Sequence, residues 1–251
     1  MAFRFKATSL LIFLFAAGTA FAEAPSPASK LNAQELIQRI ETQHQAETAH
    51  AVVHMTIQTS NWTRELRMEM WSEGRENMLA RILEPRKDRG IATLKVGDEM
   101  WNYLPNIDRV MKIPASLMGD RWMGSNLTND DIVRDVQIDQ VYTFSVARED
   151  STEALIVATP KPDAAVVWGK IEYDVDLEKE LAAAVRYYDE IGELVRTMSF
   201  DRVKKVGDRW VAHRMVVKPE DEPESTELVY ETLEFGKALP SGVFSLRNLR
   251  R

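Results

Sequence analysis

The residue type that most often carries catalysis or binds metal is histidine, and this chain has four: His44, His50, His54 and His213. His50 and His54 fall on one face of a predicted strand, about 13 Å apart at 3.3 Å per residue. Two ligands of one zinc ion must lie much closer, because each zinc–nitrogen bond is only about 2 Å long. We therefore interpret the histidines as packing or surface residues and predict no metal site.

Acidic side chains are concentrated at Asp130, Asp131, Asp135 and Asp139. Such a cluster could serve general acid–base chemistry or hold calcium. However, Asp130 and Asp131 also suit the positive end of a helix dipole, and the spacing lacks the D-x-D-x-D-G order of a calcium loop. A structural role is the better interpretation. The basic run 86–89 (Arg-Lys-Asp-Arg) is typical of a solvated turn, although it could meet an acidic partner surface.

Motifs of the common enzyme classes are missing from the sequence. It has no G-x-S-x-G elbow, no phosphate loop ending in Gly-Lys-Ser/Thr, no G-x-G-x-x-G after a strand and no H-E-x-x-H. It also has no cysteine, which removes thiol nucleophiles and disulfides. We predict that the protein is not an enzyme and needs no cofactor. A hydrolase without a recognisable motif is the least favoured alternative.

The N-terminus has the pattern of a secretory signal peptide. Arg4 and Lys6 precede the apolar run 10–17, and small residues lead to an Ala-Phe-Ala site that ends at Ala22. The run is shorter than the roughly 20 residues that span a bilayer. We predict cleavage after Ala22, a flexible tether over residues 23–30 and a periplasmic protein. Without a cysteine after the cleavage site, lipid anchoring is not expected.

The charge of the predicted mature chain argues against nucleic acid as a partner. Removing Arg4 and Lys6 with the signal peptide leaves 30 of the 32 Lys and Arg against 39 Asp and Glu, a net charge of −9. Proteins that bind nucleic acid instead need bases to replace the condensed counterions. One β-domain over residues 31–251 fits the remaining length.

Hydrophobic periodicity predicts one helix followed by about a dozen strands. The helix spans Asn32–Gln45, with Asn32 as its cap. Period-two alternation begins at Ala51, and short turns such as Gly97-Asp98 separate the strands. Gaps this short exclude the crossover helices of a parallel sheet. Residues 181–188 have helical propensity but are interpreted as a strand entering a hairpin.

The segment 115–136 departs from this pattern. Leu117, Met118, Trp122 and Met123 lie among glycines without strand periodicity, and Thr128 with Asp131 resembles a capping box. Long irregular segments in compact domains are commonly functional. Residues 115–129 are therefore a candidate gate, and a fixed loop buried in the core is an equal alternative.

Several motifs in the middle of the chain hold their order and spacing over some forty residues. They are the segments 89–94 (RGIATL), 100–105 (MWNYLP), 109–113 (RVMKI), Met118 and 124–131 (GSNLTNDD). Together they resemble the outer-membrane lipoprotein-sorting protein family, in the LolA-like branch associated with RND or MMPL-type exporters. The preceding helix and β-meander agree, as does an expected terminal strand ending at residues 244–249.

The resemblance implies a mainly β fold: an unclosed antiparallel β-barrel with helices covering its concave face and an apolar cavity between them. It implies a carrier of a lipid or of a lipoprotein acyl chain, working with an inner-membrane exporter. The alternative is a lipid-sensing or accessory binding module that transports nothing. Flexible Met and broad Trp side chains suit variable acyl chains. The candidate cavity and gate residues are Trp101, Tyr103, Leu117, Met118, Trp122 and Met123.

Overall fold

The computed structural model describes residues 31–43, 47–133, 138–164 and 166–250. The predicted signal peptide, its cleavage site and the tether lie outside these residues, as do His44 and Asp135. Within the described ranges the chain forms thirteen strands: β1 (Thr48–Gln58), β2 (Thr63–Glu73), β3 (Asn77–Glu84), β4 (Ala92–Val96), β5 (Glu99–Leu104), β6 (Arg109–Lys112), β7 (Tyr142–Glu149), β8 (Glu153–Pro160), β9 (Lys170–Asp176), β10 (Leu181–Tyr188), β11 (Leu194–Val206), β12 (Arg209–Pro219) and β13 (Ser225–Phe235).

Four α-helices accompany the sheet in the same ranges: α1 (Ala33–Gln43), α2 (Asn129–Val133), α3 (Ile138–Val141) and α4 (Leu246–Leu249). Short 3-10 helices lie at Pro105–Ile107, Ala115–Leu117 and Trp122–Gly124. The Asn32 side chain caps α1 as predicted, because its Oδ1 accepts the Glu35 N–H at 3.2 Å. Residues 44 and 45, the predicted end of this helix, lie outside the described residues. No helix in the described part of the chain is long and apolar enough to cross a membrane.

All thirteen strands belong to one antiparallel sheet of order β6-β5-β4-β3-β2-β1-β13-β12-β11-β10-β9-β8-β7. Sequential hairpins build each half, and the pairing of β1 with β13 joins the halves. The edge strands β6 and β7 do not pair with each other. The predicted unclosed antiparallel barrel is therefore confirmed, and residues 181–188 form a strand as predicted.

One face of the sheet, the inner face, carries most of the core. On β1 the buried side chains alternate through Ala51, Val53, Met55 and Ile57, the pattern of a strand with one covered face. Tyr187 and Phe200 pack against the clusters of both halves of the sheet, which makes the inner core continuous. Helix α1 closes one side of it by burying Leu36, Ile37 and Ile40.

The opposite, outer face carries a smaller apolar cluster over β3–β5, and the C-terminal segment covers it. Leu79, Leu94 and Tyr103 pack there with Val243 and Leu249. The expected terminal strand over residues 244–249 is wrong: the last strand ends at Phe235, and residues 246–249 form α4. The Ser245 hydroxyl accepts the Asn248 N–H at 3.2 Å, and this cap stabilises a helical turn instead.

Candidate binding site

A cavity of about 330 Å³ lies between the helices and the half of the sheet formed by β7–β10. Helices α1, α2 and α3 supply one side of it, the segment 166–168 a second, and β9 and β10 the floor. Its apolar and aromatic wall consists of Ile138, Val141, Tyr142, Val166, Val167, Trp168, Ile171, Tyr173 and Tyr187, and its acidic wall of Glu41, Asp130 and Asp131.

The tyrosines add hydroxyl groups to the aromatic wall of the cavity but no charge. The Tyr142 hydroxyl donates to the Trp168 carbonyl at 2.9 Å, and the rings of Trp168 and Tyr187 lie 5.1 Å apart. Burial raises the pKa of Tyr187 to about 12 and raises the pKa of Tyr173 well above its usual value. Both phenols therefore remain neutral at physiological pH, and they give the floor of the cavity no charge.

An ion pair holds α2 onto the sheet at the edge of this cavity. Arg196 on β11 donates from both terminal nitrogens to the Asp131 carboxylate, at 2.7 and 2.6 Å. The Arg196 guanidinium also lies 4.9 Å from the Trp168 ring centre and 4.5 Å from that of Tyr187, distances typical of cation–π contacts. The cavity wall, α2 and β11 are thus joined through one buried arginine.

The Asp131 carboxylate is ionised in this arrangement. Burial acts to raise its pKa, but the hydrogen bonds and charge of Arg196 and the hydrogen bonds from Thr128 outweigh that effect and lower the pKa. Thr128 and Asp131 form the predicted capping box: each backbone N–H donates to the other side chain, at 2.8 and 3.0 Å. Asp131 therefore both caps α2 and fixes it to β11.

Within the candidate gate, Trp122 is a core residue. Its side chain is 1 % exposed in the inner cluster, and its indole N–H donates to the Thr93 hydroxyl at 3.1 Å. Met118 and Met123 pack against the same cluster. Leu117 lies at the surface, 42 % exposed. Met118, Trp122 and Met123 are thus brought together in the packed inner core. None of the three lines the cavity.

Trp101 and Tyr103 lie on the other side of the sheet. Both belong to the outer cluster that the C-terminal segment covers, and the Tyr103 hydroxyl donates to Asp108 at 3.2 Å. None of the six candidate residues lines the 330 Å³ cavity. Tyr173 and Tyr187 do line the cavity. Strand alternation could place them on one face of the sheet, but their contact with the segment 166–168 depends on tertiary packing.

His50 on β1 and His213 on β12 contact neighbouring side chains of the sheet. His50 Nε2 lies 2.9 Å from a Glu69 carboxylate oxygen, and the buried His213 ring contacts Tyr230 edge-on. Within the described ranges, no three His, Asp or Glu side chains are grouped closely enough to hold a metal ion.

Comparison with known protein families gives one match over residues 74–251, to a family model described as "Uncharacterized protein". This match spans more than half of the chain. The chain belongs to that family. A comparison with curated proteins gave no match.

Solved structures show which fold this family member has. A domain from Vibrio parahaemolyticus, named for outer membrane lipoprotein sorting, matches with a TM-score of 0.75 and 22 % identity over 87 % of this chain and 98 % of its own. A DUF1329 family protein from Desulfovibrio piger matches with a TM-score of 0.78 and 21 % identity, over 86 % and 97 % of the two chains. A LolA superfamily protein from Nitrosomonas europaea matches with a TM-score of 0.69 and 19 % identity, over 87 % and 99 %. The predicted LolA-like fold is confirmed.

Proposed function

We propose that this protein is a periplasmic carrier that holds a lipid, or the acyl chain of a lipoprotein, in the 330 Å³ cavity. The observation that carries the proposal is a cavity between helices and an unclosed sheet, with an apolar and aromatic wall opposite an acidic one, in a chain with the LolA-like fold. The name of the Vibrio domain, with its reference to lipoprotein sorting, supports the same class of cargo.

The physical chemistry of the wall fits this cargo. Ile138, Val141 and Val166 present only hydrocarbon, and burying one CH₂ group contributes about 0.8 kcal/mol. The cavity volume lies at the lower end of the roughly 300–1,000 Å³ typical of small-molecule sites. A single acyl chain therefore gains affinity by burial alone, and the reaction chemistry of an enzyme is not needed.

The export route and the partner are further parts of the proposal. The signal peptide is removed after Ala22, and residues 31–251 act as one lipid-binding domain in the periplasm. An inner-membrane RND or MMPL-type exporter then works with the carrier. The intact mass of the protein from the periplasmic fraction tests the first step: a mass that retains residues 1–22 would contradict it.

We also retain the candidate gate as a proposal, confined to Leu117 and Met118. The Met118 carbonyl accepts the Asp130 N–H at 2.8 Å, and the Leu117 carbonyl accepts the Asn129 side-chain amide at 2.9 Å. Asp130 lines the cavity. A displacement of Leu117 and Met118 would therefore move the cavity wall, while the buried Trp122 anchors the rest of the segment.

Filling the cavity tests the carrier function directly. Val166→Trp places a large ring in the wall, whereas Val195→Trp adds the same ring at a site on β11 that does not line the cavity. We expect Val166→Trp to weaken binding of the fluorescent fatty acid parinaric acid at least tenfold and to reduce the lipid seen by native mass spectrometry. Val195→Trp should leave both unchanged. Equal binding by both variants would place the lipid elsewhere.

A further inference from the structure

The basic run 86–89 has a structural setting that the carrier function does not use. It lies in the turn between β3 and β4, beside the β1–β2 turn at residues 59–62 and the β5–β6 turn at residues 105–108. Arg64 binds Asp88 at 3.0 Å, and a Cβ atom on Gly90 would lie 3.6 Å from Pro105. The three turns therefore form one continuous surface at one end of the sheet, here called the basic tip surface.

Within the run 86–89, the bases face solvent and the acid is paired. Asp88 is the one acid of the run and points inward. Its carboxylate accepts hydrogen bonds from Nε and Nη2 of Arg64, at 3.3 and 3.0 Å. Arg86, Lys87 and Arg89 are exposed to solvent, and the Arg89 Nε donates to the Leu83 carbonyl at 2.9 Å, which orders the turn. Glu65, Glu84 and Asp108 are also exposed near these turns, so Arg86, Lys87 and Arg89 form a local group of three bases on a chain whose net charge is −7.

Exposed apolar side chains flank these bases. Trp62 in the first turn is 47 % exposed and Ile107 in the third is 58 % exposed. Between the first two turns lies a groove of about 720 Å³, lined by Trp62, Thr63, Arg64, Glu65, Pro85, Lys87 and Gly124. The groove therefore reaches the candidate gate segment at Gly124.

The turns at the other end of the sheet are different. Residues 97–98, 150–152 and 207–208 read Gly-Asp, Asp-Ser-Thr and Gly-Asp, and none of them exposes a large hydrophobic side chain. Protruding apolar residues combined with bases are thus a property of these three turns, because the neighbouring turns at the same end, residues 189–193 and 220–224, are acidic. A single exposed apolar side chain is ordinary, and what distinguishes this surface is that Trp62 and Ile107 lie on either side of the same bases.

We propose that the basic tip surface docks on an anionic lipid bilayer. Tryptophan favours the interface between headgroups and hydrocarbon, Ile107 can enter the acyl boundary, and each Lys or Arg near an anionic surface adds electrostatic attraction. Two exposed apolar side chains beside three exposed bases match one partner, a membrane with acidic headgroups. This inference goes beyond the carrier function and holds whether or not the cavity binds lipid.

Co-sedimentation with lipid vesicles tests the proposal, with the protein purified in the form that its host produces. One vesicle contains phosphatidylethanolamine with phosphatidylglycerol, and the other contains phosphatidylcholine alone. The variant R86Q/K87Q removes two bases from the surface. The matched control K204Q/K205Q removes two exposed lysines of β11 near its turn with β12, at the opposite end of the sheet. Both variants have the same net charge, so a difference between them reports position.

We expect the wild type to bind the anionic vesicles and to bind phosphatidylcholine much more weakly. R86Q/K87Q should bind the anionic vesicles about 25-fold more weakly, since each base contributes about fivefold, and K204Q/K205Q should bind like the wild type. W62A should also weaken binding and lose the fluorescence quenching that brominated lipids cause. Equal binding by both double variants overturns the proposal. If the wild type does not bind anionic vesicles, the proposal is also overturned. The bases would then be available to contact an acidic protein surface instead.

Discussion

At the scale of single residues, Trp122 tests whether the candidate gate extends beyond Leu117 and Met118. Its ring is enclosed by the inner core and its indole N–H is bonded to Thr93. We expect Trp122→Ala to lower the free energy of unfolding by about 3–5 kcal/mol, because it leaves a large cavity. Denaturant unfolding measures this loss, and W62A at an exposed turn is the control, with an expected change below about 0.5 kcal/mol.

If Trp122→Ala instead unfolds like the wild type but binds or releases parinaric acid differently, Trp122 moves during function and the segment around it is a gate. The burial of Trp122 favours the other outcome. The same titration, scaled to the folded fraction of each variant, separates the two possibilities.

The Asp131–Arg196 pair makes stability depend on pH. The folded-state pKa of Asp131 is lowered from its ordinary value of 3.8. Its contribution is therefore present above that value and is lost as the pH falls through the lower folded-state pKa. We expect Asp131→Asn to flatten the acid limb of the unfolding free energy measured between about pH 5 and pH 2. Asp98→Asn, in the exposed turn between β4 and β5, controls for the general loss of a carboxylate.

Removal of one partner should cost more than removal of both. Asp131→Ala leaves Arg196 charged and buried, a change that typically costs about 3–5 kcal/mol. Combining it with Arg196→Met should recover part of this loss, and the double-mutant cycle gives the coupling energy. A cycle with no coupling would mean that the capping of α2 by Asp131, and not the ion pair, supports this part of the fold.

At the scale of elements, Gly169 sets how closely the segment 166–168 approaches the β10–β11 turn. Its N–H donates to the Tyr188 carbonyl at 3.0 Å, and a Cβ atom there would lie only 2.3 Å from the Asp189 carbonyl oxygen. We expect Gly169→Ala to destabilise the protein by about 1–3 kcal/mol and to weaken parinaric acid binding, because Trp168 and its contacts with the cavity would shift.

Gly119 provides the matched control for this substitution, since a Cβ atom there would meet nothing within 4 Å. Gly119→Ala should leave thermal unfolding close to that of the wild type. Similar losses in both variants would show that alanine acts through backbone freedom, and the close contact at Gly169 would then not be what limits the site.

At the scale of the whole molecule, a bound lipid should stabilise the fold, because only the folded chain has the cavity. A ligand at a hundred times its dissociation constant adds about 2.7 kcal/mol to the free energy of unfolding. We expect Tm to rise with added parinaric acid after delipidation, and to rise much less in Val166→Trp. A ligand-independent Tm of the delipidated wild type would contradict the carrier proposal while leaving membrane docking by the basic tip surface unaffected.

The strands and the helix caps were predictable because their causes are local. Period-two alternation identified β1 from Ala51 onward, and side-chain chemistry identified the caps at Asn32 and Thr128. Each of these signals lies within a few residues of the structure that it specifies. The terminal helix α4 was missed because its four residues, Leu246–Leu249, are too few to show a helical period.

The candidate site depended on which side chains meet across the fold. Trp101 and Tyr103 have the composition of a binding surface, but the C-terminal segment covers their face of the sheet. The cavity is assembled from α1, α2, α3, β9 and β10, which are far apart in sequence. The sequence by itself determined the strands, their alternation and the caps, since these follow from neighbouring residues. The tertiary structure decided which apolar face became core and which part of it stayed hollow, because that depends on what covers each face.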